Sequence, residues 1–265
     1  MTKTVGREMG DLSRINQAAC RQRDAGSWFY RRPPTPEFVE LAIVQGADVS
    51  LPIHFHDEDQ LTFILSGRRR FRIDGNLIEL CRGQGLFITA GTPHSSLPEP
   101  DGVVCFNAYL RAGMSALPAL VEDMARHWAR EACFSLGDLS GMVRTHRQSL
   151  VDQVRRSRAV LPFDAHGTVR DAADQARMSR EAFSRRFRRT RGVPPSLFRS
   201  LTKLNEARLL LRAGLPLAAA AAEAGFADQS HLGRCFRRAF GVTPGAYRAG
   251  WERSHPFQTE SWPGF

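Results

Sequence analysis

The last third of the chain contains one pattern written twice, 49 residues apart. Phe183 aligns with Leu232, Arg185 with Arg234, Phe187 with Phe236, and Arg188-Arg189 with Arg237-Arg238. Gly192-Val193, Pro195 and Phe198 then align with Gly241-Val242, Pro244 and Tyr247. A duplication that keeps a glycine, a proline and two aromatic positions in phase describes a repeated supersecondary unit. Each copy reads as helix, tight turn, helix. In the first, Thr168 caps a helix with Asp171 three residues on, and Ser179 caps a second helix whose apolar side is Phe183 and Phe187. Gly192 ends that helix. In the second copy Pro216 starts an alanine-rich helix, Gly225-Phe226 makes the turn, and Asp228 caps a helix with Leu232, Phe236 and Phe240 inward. Between the copies, Leu197, Leu201, Leu204, Ala207, Leu210 and Leu211 keep helical spacing and predict a long connecting helix from about Ser196 to Ala213.

Charge separates the two ends of the chain. Residues 1–159 carry 20 basic and 18 acidic side chains; residues 160–265 carry 17 and 9, most of the formal +10. Lys3 and Lys203 are the only lysines, so compositional bias explains arginine over lysine but not the asymmetry. A basic third on a near-neutral body is the footprint of nucleic-acid binding, because phosphate contacts carry most sequence-independent affinity. With one side of each second helix buried, the opposite sides present Arg180, Glu181, Ser184, Arg185 and Arg188, then Gln229, Ser230, His231, Arg234 and Arg237. Gln and Arg match adenine and guanine edges, and Glu accepts from cytosine. The bland alternative is a solvated charged helix face.

The stretch from Ala220 to Arg248, AAAEAGFADQSHLGRCFRRAFGVTPGAYR, resembles the signature of the AraC/XylS transcriptional regulators, and the likeness extends over about Thr168 to Arg248. The resemblance implies two helix-turn-helix units that present recognition helices to successive major grooves. Carried over by position, the base-reading residues are Glu181, Ser184 and Arg185 in the first helix and Gln229, Ser230, His231 and Arg234 in the second. Arg188, Arg189, Arg237 and Arg238 meet phosphate or solvent. Gly233 departs from the pattern, since it offers no side chain to a base. The family also implies RNA polymerase as a partner, with activation the commoner outcome. Two units in one chain bind asymmetric DNA without a partner copy, so monomer and homodimer both stay open.

Upstream, the spacing changes to short alternating runs bounded by glycine. Thr62–Leu65 ends at Ser66-Gly67, Arg70–Ile73 ends at the hairpin signal Asp74-Gly75, and Asn76–Leu80, Gly85–Thr89 and Val103–Phe106 follow. These predict a small antiparallel barrel or sandwich. His54-Phe55-His56 puts two imidazoles on one side of a strand, and His94 lies 38 residues further on. The segment resembles the cupin fold, with Gly46–Gly67 and Gly85–His94 as its two motifs. In metal-binding cupins a Glu completes the ligand set. Here Gln60 stands at that position, and Thr89 replaces an expected proline. His54, His56, Gln60 and His94 thus line an expected effector pocket, and His54, His56 and His94 form a candidate site for zinc, nickel or copper. An organic effector hydrogen-bonded by neutral histidines and a purely structural role for the histidines are the competing readings. Asp57-Glu58-Asp59 reads as a solvated loop, and Arg68-Arg69-Arg70 as an exposed hairpin edge or an interdomain contact.

The expected fold class is α+β in two domains, a cupin-like antiparallel barrel followed by an all-α domain with two helix-turn-helix units joined by a long helix. The expected division is an arm at 1–37, the barrel at 38–111, a helical interdomain or dimerisation segment at 112–158, a linker at 159–167, the double helix-turn-helix at 168–250 and a tail at 251–265. Within 112–158, Leu117, Leu120, Val121, Met124 and Trp128, then Leu139, Met142, Val143, His146, Leu150 and Val154, keep helical spacing, which suits a dimer interface, an interdomain layer or mere packing on the barrel. No secretory h-region opens the chain, and the longest apolar run, Leu209–Ala222, is broken by Arg212, Gly214 and Pro216. Cys20, Cys81, Cys105, Cys133 and Cys235 form no C-x-x-C pair, which fits a reducing cytoplasm rather than a disulfide framework or a membrane. Together these features predict a cytoplasmic, sequence-specific regulator that binds double-stranded DNA under control of a small-molecule or metal effector, and that is not an enzyme. The alternatives are a metal-dependent cupin enzyme fused to a DNA-binding module, and an architectural binder indifferent to sequence. Against the enzyme stand Gln60 and the lack of G-x-S-x-G, G-x-x-x-x-G-K and H-E-x-x-H motifs.

Overall fold

A computed structural model describes residues 26–113, 118–132, 134–148 and 167–252. The expected linker (save Gly167), the tail beyond Glu252, most of the arm, Leu117, Leu150, Val154, Cys20 and Cys133 lie outside the described residues. Eight strands form one curled antiparallel sheet: β1 (Ser27–Arg31), β2 (Glu40–Gly46), β3 (Leu51–His54), β4 (Asp59–Ile73), β5 (Asn76–Cys81), β6 (Gly85–Ile88), β7 (His94–Ser96) and β8 (Val103–Leu110). The order is β1-β2-β8-β4-β7-β3, with β5 and β6 also on β4. Two expectations are corrected here. The runs at 62–65 and 70–73 belong to one strand, because the β4–β8 register shifts between Ile64 and Ser66 and lets the chain bend without ending. Gly67, at φ 74°, sits so close to the Gly102 carbonyl that a Cβ there would lie 2.3 Å from it. The first half of β4 therefore pairs with β8 and β6, and the second with β5 and β7.

The second correction concerns the arm. Ser27–Arg31 is not free but pairs antiparallel with β2, Trp28 opposite Val44 and Tyr30 opposite Ala42. It is held because Tyr30 is buried and its hydroxyl donates to the Phe240 carbonyl, 210 residues away. The turn at Asp74-Gly75 has positive φ at both residues, as a tight hairpin of the right twist requires.

Two helices follow the sheet, α1 (Pro118–Glu131) and α2 (Leu136–Gln148). Leu120, Met124, Leu139 and Val143 are buried against Leu41, Leu61, Phe63 and Phe106, so these helices cover one side of the barrel.

The helical domain comprises α3 (Val169–Gln175), α4 (Arg180–Arg191), α5 (Pro195–Arg212), α6 (Leu217–Glu223), α7 (Gln229–Phe240) and α8 (Pro244–Glu252). Thr168 and Asp171 form the expected capping box, Ser179 and Asp228 accept from Ala182 and His231 amides, and Gly192 and Gly241 end α4 and α7 in the left-handed region. The first unit has its own small core of Ala172, Ala173, Phe183 and Phe187. The second does not stand apart. Leu201, Leu204, Leu211, Leu232, Phe236, Phe240 and Tyr247 share one continuous core with Tyr30, Ala42, Phe55 and Tyr109 of the barrel. At this junction Gly241 approaches so closely that a Cβ there would lie 2.2 Å from the Trp28 ring. No helix among the described residues is long and apolar enough to cross a membrane.

Candidate functional site

The two helix-turn-helix units bury their aromatic sides and leave their polar sides open. On α4, Glu181, Arg185, Arg188 and Arg189 are exposed, and Ser184 is half-buried beside the Phe183 core position. On α7, Gln229, Ser230, His231, Arg234, Arg237 and Arg238 are exposed. The cause is local. Phe183 and Phe187, like Leu232 and Phe236, sit four residues apart on one helix side, so residues between them turn outward. His231 packs edge-on against Phe226 of the preceding turn, at 5.4 Å between ring centres. The open sides remain open although α7 packs beside β3.

Inside the barrel the three histidines come together. His54 ends β3, His94 begins β7 and pairs with it, and His56 follows β3. Their ring centres lie 4.3 to 5.3 Å apart, and all three rings are buried. One ligating nitrogen from each lies within 4.8 Å of the others. Gln60 lines the same cavity; its amide donates to Thr62 Oγ1 at 2.9 Å and to Asn107 Oδ1 at 3.4 Å, leaving Oε1 without a partner. The cavity measures about 20 Å³, room for one or two water-sized groups. Burial keeps the rings neutral: His94 is held down to about 4, and His54 and His56 well below the usual imidazole range. For His54 the next cause is His94, and for His56 it is the Arg208 guanidinium.

Arg208 was not foreseen and is held from both domains at once. It comes from α5, is fully buried, and reaches across the domain boundary into the barrel mouth. It pairs with Glu40 on β2, lies 3.6 Å from Glu58, and donates to His56 Nδ1 at 3.0 Å. Its guanidinium lies 4.5 Å from the Tyr109 ring centre and 5.0 Å from that of Phe240. One turn on, Arg212 pairs with Glu58 and sits 3.5 Å from Glu40, while the Tyr247 hydroxyl donates to Glu40. Asn205 donates to the Phe55 carbonyl at 3.2 Å. Burial raises Glu58, but Arg208 and Arg212 outweigh it and hold the carboxyl below its ordinary value. The acidic stretch is therefore not the expected solvated loop: Asp57 is exposed, but Glu58 is buried on the two arginines and Asp59 accepts from the Ala90 amide at 2.7 Å. The basic stretch departs likewise. Arg68 and Arg70, themselves partly exposed, pair with the buried Glu99 carboxylate, whereas Arg69 turns inward into the cavity. The signal for Arg208 was in the sequence, a charge at a core position of the run Leu201, Leu204, Arg208, Leu211.

The cupin resemblance implies a metal on His54, His56 and His94, and the donor chemistry tests it. His54 Nδ1 faces the Pro52 carbonyl at 2.8 Å and His94 Nδ1 the Thr92 carbonyl at 2.9 Å, so both rings carry the proton there and turn a lone pair inward at Nε2. His56 is different. Arg208 only donates, so His56 Nδ1 accepts and the neutral ring keeps its proton on Nε2. With Gln60 neutral and Arg69 adding a buried positive charge, the docked arrangement fits two imidazole ligands, not three.

The comparisons with known proteins follow the same division. Residues 172–250 match the helix-turn-helix domain family and residues 40–97 match the cupin domain family. The chain is 39% identical over 127 residues to the RCS-specific HTH-type transcriptional activator RclR of Escherichia coli (strain K12), covering 46% of this chain and 42% of that protein. It is 35% identical over 171 residues to a putative AraC-like transcription regulator of Streptomyces antibioticus, covering 61% and 54%. The chain thus spans about half the length of these curated relatives. Among solved structures, unsaturated fatty acid bound wild-type ToxT from Vibrio cholerae strain SCE256 superposes with a TM-score of 0.51 at 8% identity, over 89% of this chain and 99% of that one. That likeness is one of fold.

Proposed function

We propose that the chain, in which a matched cupin domain precedes a matched helix-turn-helix domain, is an AraC-type regulator like the relatives it resembles, and that it binds a specific DNA site and regulates transcription in response to a small molecule held in the barrel. The observation that carries the DNA reading is the pair of open polar helix sides, both capped, both basic toward their C-terminal ends, and both free of the barrel in the docked arrangement. In this reading Glu181, Ser184, Arg185, Gln229, Ser230, His231 and Arg234 read bases, and Arg188, Arg189, Arg237 and Arg238 hold phosphates. Arg234→Ala tests it: loss of about 1–3 kcal/mol on the selected site, with relaxed sequence choice, is expected in binding titrations. Equal losses on selected and random duplexes place Arg234 on phosphate and refute base reading.

The barrel serves as sensor because the DNA-binding domain reaches one of its cavity residues: Arg208 donates to His56, and Phe240 stacks on the same ring. A ligand that alters how Arg208 is held alters how the two helix-turn-helix units are presented, which is a reciprocal coupling of two sites. We take β1 through α2 as the sensing unit, residues 168–250 as the DNA-binding unit, activation through RNA polymerase as the output, and the cytoplasm as the place of action.

A further inference from the structure

The cavity that gathers the histidines also holds a cation without an anion. Arg69 on β4 is 3% exposed. Its Nη2 donates to the Val49 carbonyl at 3.0 Å and to Ser96 Oγ at 3.1 Å, while Nε and Nη1 have no partner. Its guanidinium lies 5.4 Å from the Phe71 ring centre, but no carboxylate pairs with it, and a buried guanidinium without an anion is rare because the charge loses its hydration. The nearby buried carboxylate, Glu99, is taken by Arg68 and Arg70, at 3.7 and 3.2 Å. Two further N–H groups on residues lining the same cavity are orphaned. Trp28 Nε1 has no partner, and neither does His56 Nε2, which carries the proton because Arg208 donates to the other ring nitrogen. Gln60 Oε1 and the His94 Nε2 lone pair also lack partners there, but the N–H groups of Arg69, Trp28 and His56 outnumber them, and the one net charge is positive, which suits an anion and disfavours the divalent ion that three histidines would otherwise suggest.

We propose that the barrel cavity binds a carboxylate, the head group of an organic-acid effector, with Arg69 as its charge partner and the Trp28 and His56 N–H groups as additional donors. The proposal rests on the reading of the barrel as the effector site and names the ligand's chemical class. The cavity admits only a head group, so formate and acetate are the fitting probes. Arg208 links this site to the clamp: the domain docking that satisfies Glu40 also sets the His56 tautomer that donates to the ligand, so the docked arrangement is the one that holds the carboxylate.

The test uses the full chain, with thermal shift and line broadening of carbon-13-labelled formate at constant ionic strength. Saturable binding is expected, weakened at least tenfold by Arg69→Gln and unchanged by Arg72→Gln, which alters an exposed arginine of the same strand. Trp28→Phe, which removes one donor and keeps a ring, provides a milder variant if Arg69→Gln does not fold, and a several-fold loss is expected. Equal binding to wild type and to both cavity variants overturns the proposal in favour of diffuse attraction to a basic protein. Failure of formate and acetate together with tight cobalt binding that His94→Ala abolishes overturns the carboxylate but keeps the barrel as a sensor. Failure of both probes overturns the carboxylate and the effector reading alike.

Discussion

Arg208→Met removes the guanidinium that joins the two domains while keeping an apolar stem of similar length. Its cost follows from what is left behind. Glu40 is fully buried and loses its closest cation, and breaking one half of a buried ion pair costs about 3–5 kcal/mol, because the survivor stays desolvated without compensation. Glu40 keeps the Tyr247 hydroxyl and an Arg212 nitrogen 3.5 Å away, which places the expectation near the lower end, about 3 kcal/mol, or on the order of a hundredfold in the docking equilibrium. The loss of attraction to the Tyr109 and Phe240 rings adds to it. Two measurements read the effect: urea unfolding of the full chain, and hydrogen exchange of the β2 and α5 amides, which reports opening of this interface directly. Glu40→Gln in the Arg208→Met background should restore about 1–2 kcal/mol, since it removes the stranded charge. A cost below about 1 kcal/mol for Arg208→Met, or additive effects of the two substitutions, refutes the clamp.

Three more expectations follow from the same geometry. His94 is neutral in the fold, held near 4, and takes up a proton near 6.5 when unfolded; stability is therefore unaffected above pH 6.5 and falls as pH drops through 6.5 toward 4, by about 3 kcal/mol from this residue alone. In pH-dependent urea titrations His94→Gln should flatten that limb, and an unaltered limb would show that His94 is not its source. Gly241→Ala should cost more than Gly192→Ala: both replace a left-handed glycine, at φ 78° and 76°, which costs about 1–2 kcal/mol, but the new methyl meets the Trp28 ring at 2.2 Å in one case and only Pro93 at 3.4 Å in the other. Equal destabilisation of the two would mean that Trp28 moves aside freely. Arg189→Ala should weaken binding to all duplexes alike and flatten the salt dependence by close to one released counterion, and an unchanged salt slope removes it from the phosphate contacts.

The helical third was legible from the sequence almost residue by residue. Caps at Thr168, Ser179 and Asp228, stops at Gly192 and Gly241, and the span of the connecting helix all emerged as local spacing predicts. Helix signals are local: a cap and an i,i+4 aromatic pair act within one or two turns, so a linear reading contains them. The barrel was legible in kind but less so in detail. Its hairpin at Asp74-Gly75 was plain, while β4 looked like two strands because a bulge and a glycine in mid-strand carry the same residues as a turn. The aromatic run Ser27–Arg31 looked like an arm because its partner strand and Phe240 are distant in the chain.

The sequence alone determined the duplicated helix-turn-helix, the basic character of that third and the presence of a small antiparallel barrel, whereas the convergence of His94 on His54 and His56 was implied by the cupin resemblance and not by local spacing. The first three depend on periodicity, capping or a short strand motif. The tertiary structure alone decided the fates of the charges. Glu58, Asp59, Arg69 and Arg208 belong to residue types that face water unless a partner is supplied, and here the partners of Arg208 lie some 150 to 170 positions away, at Glu58 and Glu40. Whether a charge is solvated, paired or left alone in a cavity depends on which surfaces meet when the second unit docks on the barrel, and no local pattern encodes that meeting.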